Sequence, residues 1–181
     1  MAETIALAFL VAKIRGYKLK PIFKHWSIYP VLFMAIVYIY LESTIWQGNY
    51  SLIKYSNVFK TIYLSCFLIL AVHYDRMKVF FQGMGFMFIG SILNGIAVRA
   101  NSGEMPVFIS NSWSTGYAKP DMFTSALSHG DFHIMGSMYS KMIPLTDIFD
   151  IGSKIISVGD IFGMALIFLV IYHSIQKSNN I

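Results

Sequence analysis

The sequence predicts an all-α integral membrane protein: a bundle of four secure transmembrane helices plus a short N-terminal apolar helix, five in all, with an outer-face loop or cap of about 55 residues. Three observations predict it. Of 181 residues, 56% are hydrophobic and 13% charged, with a mean hydropathy of +0.58, whereas a soluble domain is about half apolar and about a quarter charged. Four runs approach the ~20 apolar residues that a helix needs to cross ~30 Å of hydrocarbon. The net charge of +5 is local: Lys13, Arg15, Lys18, Lys20 and Lys24 lie in an acid-free stretch, and the other nine of the 14 basic residues balance the nine acids. A disordered chain, a disulfide scaffold and a free cytosolic enzyme fit this composition poorly.

The chain reads as one membrane domain over 1–181. Its first helix, 1–14, holds the apolar run Ile5 to Val11, followed at once by Lys13, Ile14 and Arg15. It spans the bilayer only if those basic side chains snorkel to the headgroups, and otherwise lies half-inserted or interfacial. It does not read as a secretory signal, whose basic residues precede the apolar run. Spans are expected at 26–41, 58–72 (with Lys60 near its start), 79–98 and 155–172, the last carrying Asp160. Trp26, Tyr29, Trp46, Tyr50, Tyr55 and Tyr172 fall near their ends, where Trp and Tyr gather, although aromatics are common throughout this chain. The single cysteine, Cys66, sits within a span and reads as a bystander thiol.

Lys and Arg bias of short loops sets orientation. Residues 13–24 are expected inside, 42–57 outside, 73–78 (with Arg76 and Lys78) inside, the 99–154 cap outside, and the C-terminus with Lys177 inside. The inner Lys13–Lys24 stretch should attract anionic lipid. Structureless connections rarely exceed about 15 residues, so 99–154 should form a small, partly irregular cap, with an amphipathic helix near the bilayer surface. The span before it carries Gly83, Met87, Gly90, Ser91, Asn94 and Gly95 at helical spacing, a pattern that lets helices approach closely. Asn94 adds an amide that needs a partner in hydrocarbon.

Three constellations carry polar chemistry. Asn101-Ser102-Gly103-Glu104-Met105-Pro106 is turn chemistry, with Pro106 holding Met105 extended. Together with Asn94, Arg99 and His133, Asn101 and Met105 are also candidates for the wall of a binding site at the outer surface. His129-Gly130-Asp131-Phe132-His133, if a strand, would turn His129, Asp131 and His133 to one face as ligands for a zinc-like ion. A solvated loop cluster is the ordinary reading, so these are weak candidates, and neither metal nor cofactor is expected. Asp160 opens the last span, where a carboxylate either caps the helix or serves catalysis. In the catalytic reading it pairs with Asp147, near Asp150, and the two acids share a proton to activate water and protonate a leaving nitrogen.

Several of these segments, in this order, resemble a known family. They are the apolar N-terminus followed by Arg15-Gly16 and the basic stretch, the Asn94 to Pro106 segment with its Asn-x-Gly-x-Met-Pro core, His133 before Leu145-Thr146-Asp147, and Ser157-Val158-Gly159-Asp160. The resemblance is to the bacterial membrane-protein family catalogued as domain of unknown function 5317. Members usually have Gly where Ser102 stands and Leu-Gly-Asp in place of Leu145-Thr146-Asp147. The resemblance implies a small multi-pass protein of the bacterial cytoplasmic membrane and supplies no activity. A weaker analogy is to lipoprotein signal peptidase, with Asn94, Arg99, Asp160 and Asp147 in similar places. That family's Asn-x-Ala-Asp signature is absent, and the spacing of thirteen positions from Asp147 to Asp160 is shorter than that family's.

The leading functional expectation is a non-catalytic accessory or peptide- or lipid-binding subunit acting at the outer face, with membrane lipids, and a membrane-protein complex or peptide, as partners. The alternative is a membrane-embedded aspartic hydrolase using Asp147 and Asp160. A small transporter or channel stands third, because Asp160 alone does not draw an ion path. No motif supports nucleic-acid binding.

Overall fold

The computed structural model describes residues 2–180; Met1, expected within the first helix, and Ile181 lie outside the described residues. Among the described residues seven α-helices form, α1 (Ala2–Ile14), α2 (Tyr29–Trp46), α3 (Ser56–His73), α4 (Met77–Ala100), α5 (Asn111–Thr115), α6 (Met122–Leu127) and α7 (Val158–Ser178), with four short strands, β1 (Met105–Val107), β2 (His133–Met135), β3 (Phe149–Asp150) and β4 (Ile155–Ile156). Short 3₁₀ turns run into α2 and α3, giving continuous helical segments over Trp26–Trp46 and Ile53–His73. With Met77–Ala100 and Val158–Ser178 these make four apolar helices of 21 to 24 residues. At 1.5 Å per residue they reach about 31–36 Å, enough to cross hydrocarbon ~30 Å thick. The protein is thus an all-α, multi-pass membrane fold.

All four helices overrun the spans expected from hydropathy at one end or both, because polar residues such as Glu42, Lys54, Lys78, Arg99 and Lys177 continue a helix beyond its apolar stretch. The fourth differs at its start. Ile155 and Ile156, expected inside the last span, instead form β4, and α7 begins at Val158. α1 has 13 residues, about 20 Å, short of a full crossing.

Left-handed turns stop the helices. After α1, Gly16 takes φ +85, its N–H donating to the Lys13 carbonyl while Tyr17 donates back to Ala12. Gly48 does the same after α2, with Asn49 donating to Thr44. This is the Schellman end that satisfies the last carbonyls, and its left-handed residue is usually glycine. Asp75 and Ser102 fill the same position after α3 and α4 at a steric cost.

The chain divides into two compact units. The first comprises Met1–Tyr40, Asn57–Met87 and Gly163–Ile181. Its core joins Ile5, Ala8 and Ala12 of α1 to Val31, Phe67, Leu70, Leu166 and Val170 of the longer helices. Asn179 clasps Lys18 from both sides, accepting from its N–H and donating to its carbonyl, and Gln176 donates to the Tyr17 hydroxyl. Outward, Phe33, Ile36, Val72 and Phe81 are each more than 60% exposed, a liability in water and the ordinary surface of a helix in lipid.

The second unit comprises Leu41–Ser56 and Phe88–Phe162. In it β1 pairs parallel with β2, matching Met105 to His133 and Val107 to Met135, and Val107 also bridges Asp147. β3 and β4 form an antiparallel hairpin. Asp150 holds this hairpin to α5: its carboxylate accepts from the N–H groups of Ser110, Ser112 and Gly152 at 2.8 Å and from the Ser112 hydroxyl. Burial opposes its ionisation, but those donors outweigh it and hold the carboxyl at about 2. Trp46 meets Tyr117 edge to face, and Lys154 lies 3.4 Å from Glu42.

Small residues bring α4 and α7 together, as the sequence pattern suggests. Within the first unit a Cβ on Gly83 would sit 2.7 Å from Leu166 Cα. Within the second, a Cβ on Gly90 would strike the Gly159 carbonyl oxygen and lie 3.1 Å from Phe162 Cβ. Gly95, expected on the same face, has open space around it; it lies one position off the Gly83, Met87, Gly90, Asn94 row. Gly90→Ala should lower the melting temperature of detergent-purified protein by several degrees, consistent with the roughly 1–3 kcal/mol cost of overpacking. Gly95→Ala should leave it unchanged or raise it. Matching melting curves for Gly90→Ala and the unaltered protein would contradict the close approach.

Candidate functional site

Two polar clusters form in the second unit. The first closes the start of α7. Ser157 stands immediately before the helix, its hydroxyl accepting from the Asp160 N–H at 3.0 Å, while Asp160 Oδ2 accepts from the Ser157 N–H at 3.0 Å. This reciprocal pair is a capping box, which satisfies two amides that the first turn leaves without helical partners. Asn94 of α4 completes it: its Nδ2 donates to Asp160 Oδ1 at 3.1 Å and its Oδ1 accepts from the Ser157 hydroxyl at 2.8 Å. The amide has found its partner, and both oxygens of Asp160 are engaged.

The second cluster is a row of three groups. His133, in β2, has Nδ1 2.5 Å from Asp131 Oδ1 and Nε2 3.5 Å from Asp147 Oδ2. The carboxylate accepts, so Nδ1 carries the hydrogen. The second distance suits an ion pair and is too long for a good hydrogen bond. Asp147 is fixed by its backbone, its N–H donating to the Pro106 carbonyl and its own carbonyl accepting from the Phe108 N–H. Its side chain is only 6% exposed against 35% for His133, and its Oδ1 is buried with no hydrogen-bond partner.

Charge tunes the row. Burial pushes Asp147 up; His133 pulls it back; the charges of Asp160 and Asp131 push it up again, to about 7. Burial disfavours the His133 imidazolium, but the hydrogen bond and charge of Asp131, then Asp147 and Asp160, outweigh it and raise its pKa. For Asp131 burial is likewise overcome, by the hydrogen bond and charge of His133 and by the amides of Phe132 and His133, so its pKa falls. Asp147 therefore holds or releases a proton near neutrality, the range in which a group serves as acid or base.

The other expected site residues lie elsewhere. Asn101 ties chain segments together, donating to the carbonyls of Ala97 and Lys141 and accepting from the Lys141 N–H. Met105 is buried in β1. Arg99 is exposed. His129 follows α6 rather than sharing a strand with His133, and its Nδ1 lies 2.8 Å from the Ser125 carbonyl. The convergence of His129, Asp131 and His133 expected from a strand does not form, and among the described residues no three His, Cys, Asp or Glu groups are placed to hold a metal. Asp147 and Asp160 interact through charge, and no hydrogen bond joins them among the described residues. Ser157 was missed by sequence reading, although Ser-x-x-Asp before an apolar run signals a capping box.

Stability should carry the imprint of this row. Asp147 moves from 3.8 unfolded to about 7 folded, so the folded state binds the extra proton and stability falls as pH rises between those values. The raised His133 adds to that fall: its contribution is whole below 6.5 and lost as pH climbs through its higher folded value. Asp131, lowered from 3.8, contributes above that value and loses its contribution as pH drops through the folded one. The melting temperature should therefore drop from about pH 5 to about pH 8, and the drop should shrink in Asp147→Asn. An equal drop in both proteins would remove Asp147 from this role.

A family model described as Family of unknown function (DUF5317) matches residues 19–172. No curated protein and no solved structure matches the chain, and the likeness to lipoprotein signal peptidase finds no support.

Proposed function

The chain belongs to this family of unknown function, and we propose that it is a non-catalytic binding protein of the bacterial cytoplasmic membrane. Its 99–154 cap faces outward and takes up a peptide or lipid group bearing an N–H or ammonium donor. The supporting observation is the contrast between the two acids. Asp160 spends both oxygens on Asn94 and Ser157, while Asp147 keeps a buried oxygen without a partner. Such an oxygen costs on the order of 1–3 kcal/mol, which a donor from a ligand recovers. His133, more exposed and adjacent, is the approach to it.

Orientation follows from the five basic residues between Lys13 and Lys24, all exposed, which face the cytoplasm and hold anionic lipid at about 1 kcal/mol each. A second reading, an aspartic hydrolase using Asp147 and Asp160, draws support from the Asp160 charge that helps keep a proton on Asp147 near neutrality.

Short-chain phosphatidylethanolamine and an amine-bearing single-span peptide are the probes, titrated into detergent-purified protein. Asp147→Asn should weaken binding of at least one about tenfold, equivalent to about 1.4 kcal/mol, and leave phosphatidylglycerol binding unaltered. Affinities that do not respond to Asp147→Asn would refute the binding site. Cleavage of the peptide, lost in both Asp147→Asn and Asp160→Asn, would establish the hydrolase instead.

A further inference from the structure

The segment that joins His133 to Asp147 carries a feature the binding reading does not use. Between Gly136 and Leu145 the only charged residue is Lys141, and Met138 and Tyr139 are 85% and 86% exposed, with Met142 at 50% and Ile143 at 37%. Their exposure comes from a tight turn. Ser140 donates its N–H to the Ser137 carbonyl, its hydroxyl accepts from the Ser137 N–H, and the Ser137 hydroxyl accepts from the Tyr139 N–H. The turn thus satisfies much of its own backbone and places a methionine and a tyrosine at its tip.

The height of this turn is fixed by Asn101, the first residue after α4. Asn101 accepts from the Lys141 N–H at 2.8 Å and donates to the Lys141 carbonyl at 2.9 Å. Met138 is three residues from Lys141, at most about 10 Å of extended chain. The headgroup layer beyond each face of the hydrocarbon is about 5–8 Å deep. The turn is therefore tethered at the level where a spanning helix leaves the hydrocarbon. Along α4 before the tether, Phe88, Ile89, Ile92 and Ile96 are apolar and exposed as in a helix facing lipid, and at its end Arg99 and Lys141 supply cations for phosphate.

We propose that residues 137–143 form a lip that inserts into the lipid leaflet where α4 ends, with Met138 and Tyr139 among the acyl chains and Lys141 at the phosphates. Tyrosine suits that boundary, with an apolar ring and a polar tip, and an apolar loop beside a cation is how interfacial segments bind lipid. A turn with its amides already bonded enters at lower cost than one whose amides need water. The lip does not depend on what Asp147 binds.

The test is site-directed spin labelling of Met138→Cys and Tyr139→Cys, one at a time, with Thr124→Cys, exposed on α6, as the water-facing reference. The unaltered chain, whose single Cys66 is buried, is the blank. In proteoliposomes of phosphatidylethanolamine and phosphatidylglycerol, labels at 138 and 139 should collide with oxygen severalfold more often than with a water-soluble nickel chelate, and the label at 124 the reverse. Nickel-dominated collisions at both positions would place the turn in water and overturn the lip. Shielding from both reagents would overturn it too, and would mean that protein covers the turn.

Discussion

The start of α7 is the constraint on which the second unit depends. A helix that begins inside an apolar surrounding exposes amides that water cannot reach, and each costs free energy unless a side chain takes it. Ser157 and Asp160 take two, and Asn94 on α4 holds both side chains in place. Glycines make this possible: Gly90 and Gly159 bring the backbones so close that a Cβ on either would meet the other's carbonyl oxygen. Asn94 follows Gly90 by one turn, so a single helical face supplies first the close approach and then the amide that uses it. The hairpin of β3 and β4 ends at this fixed point.

That cap also sets the electrostatics nearby. Asp160 is held in place by hydrogen bonds, and its charge is one of the influences that lift Asp147 to about 7. A helix-capping carboxylate and a proton-holding carboxylate thus divide two roles that the sequence offers equally to either. The difference is environment: donors surround the first, while the second is buried with a histidine as its nearest charge. Asp131 contributes from the far side of His133, favouring the imidazolium and so giving Asp147 a cation to face. The cluster is a balanced row in which moving one proton alters its neighbours.

How much of this was legible in the sequence depended on range. The four spans were readable because hydrophobicity over ~20 residues is a local property, and the Gly83 to Asn94 face because helical spacing is too. The start of α7 was misplaced by three residues, since Ile155 and Ile156 are as apolar as any span residue, and only their pairing with Phe149 and Asp150 makes them a strand. The row Asp131, His133, Asp147 was half legible. Asp131 and His133 are two apart and their pairing is local, but Asp147 reaches His133 only because β1 receives β2 on one side and Asp147 beyond it. That is a long-range arrangement no short motif encodes. The side-chain partners of Asn101 are backbone groups, two of them forty residues away on Lys141, a pairing that its turn-rich neighbours in sequence do not announce.

The same chain path links the polar row to the bilayer. His133 and Asp147 are the two ends of one excursion, which leaves β2, rounds the Ser137 to Ser140 turn, is tied to Asn101 at Lys141, and returns through the 3₁₀ turn Ile143–Leu145 to meet Val107. Both ends of that excursion are bonded to β1, which fixes the backbones on either side of the 3.5 Å gap between His133 Nε2 and Asp147 Oδ2. At that distance the pair is not locked by a hydrogen bond. The exposed Met138 and Tyr139 tip and the Asp147 carboxyl therefore belong to one chain segment, held at its two ends by β1 and near its middle by Asn101.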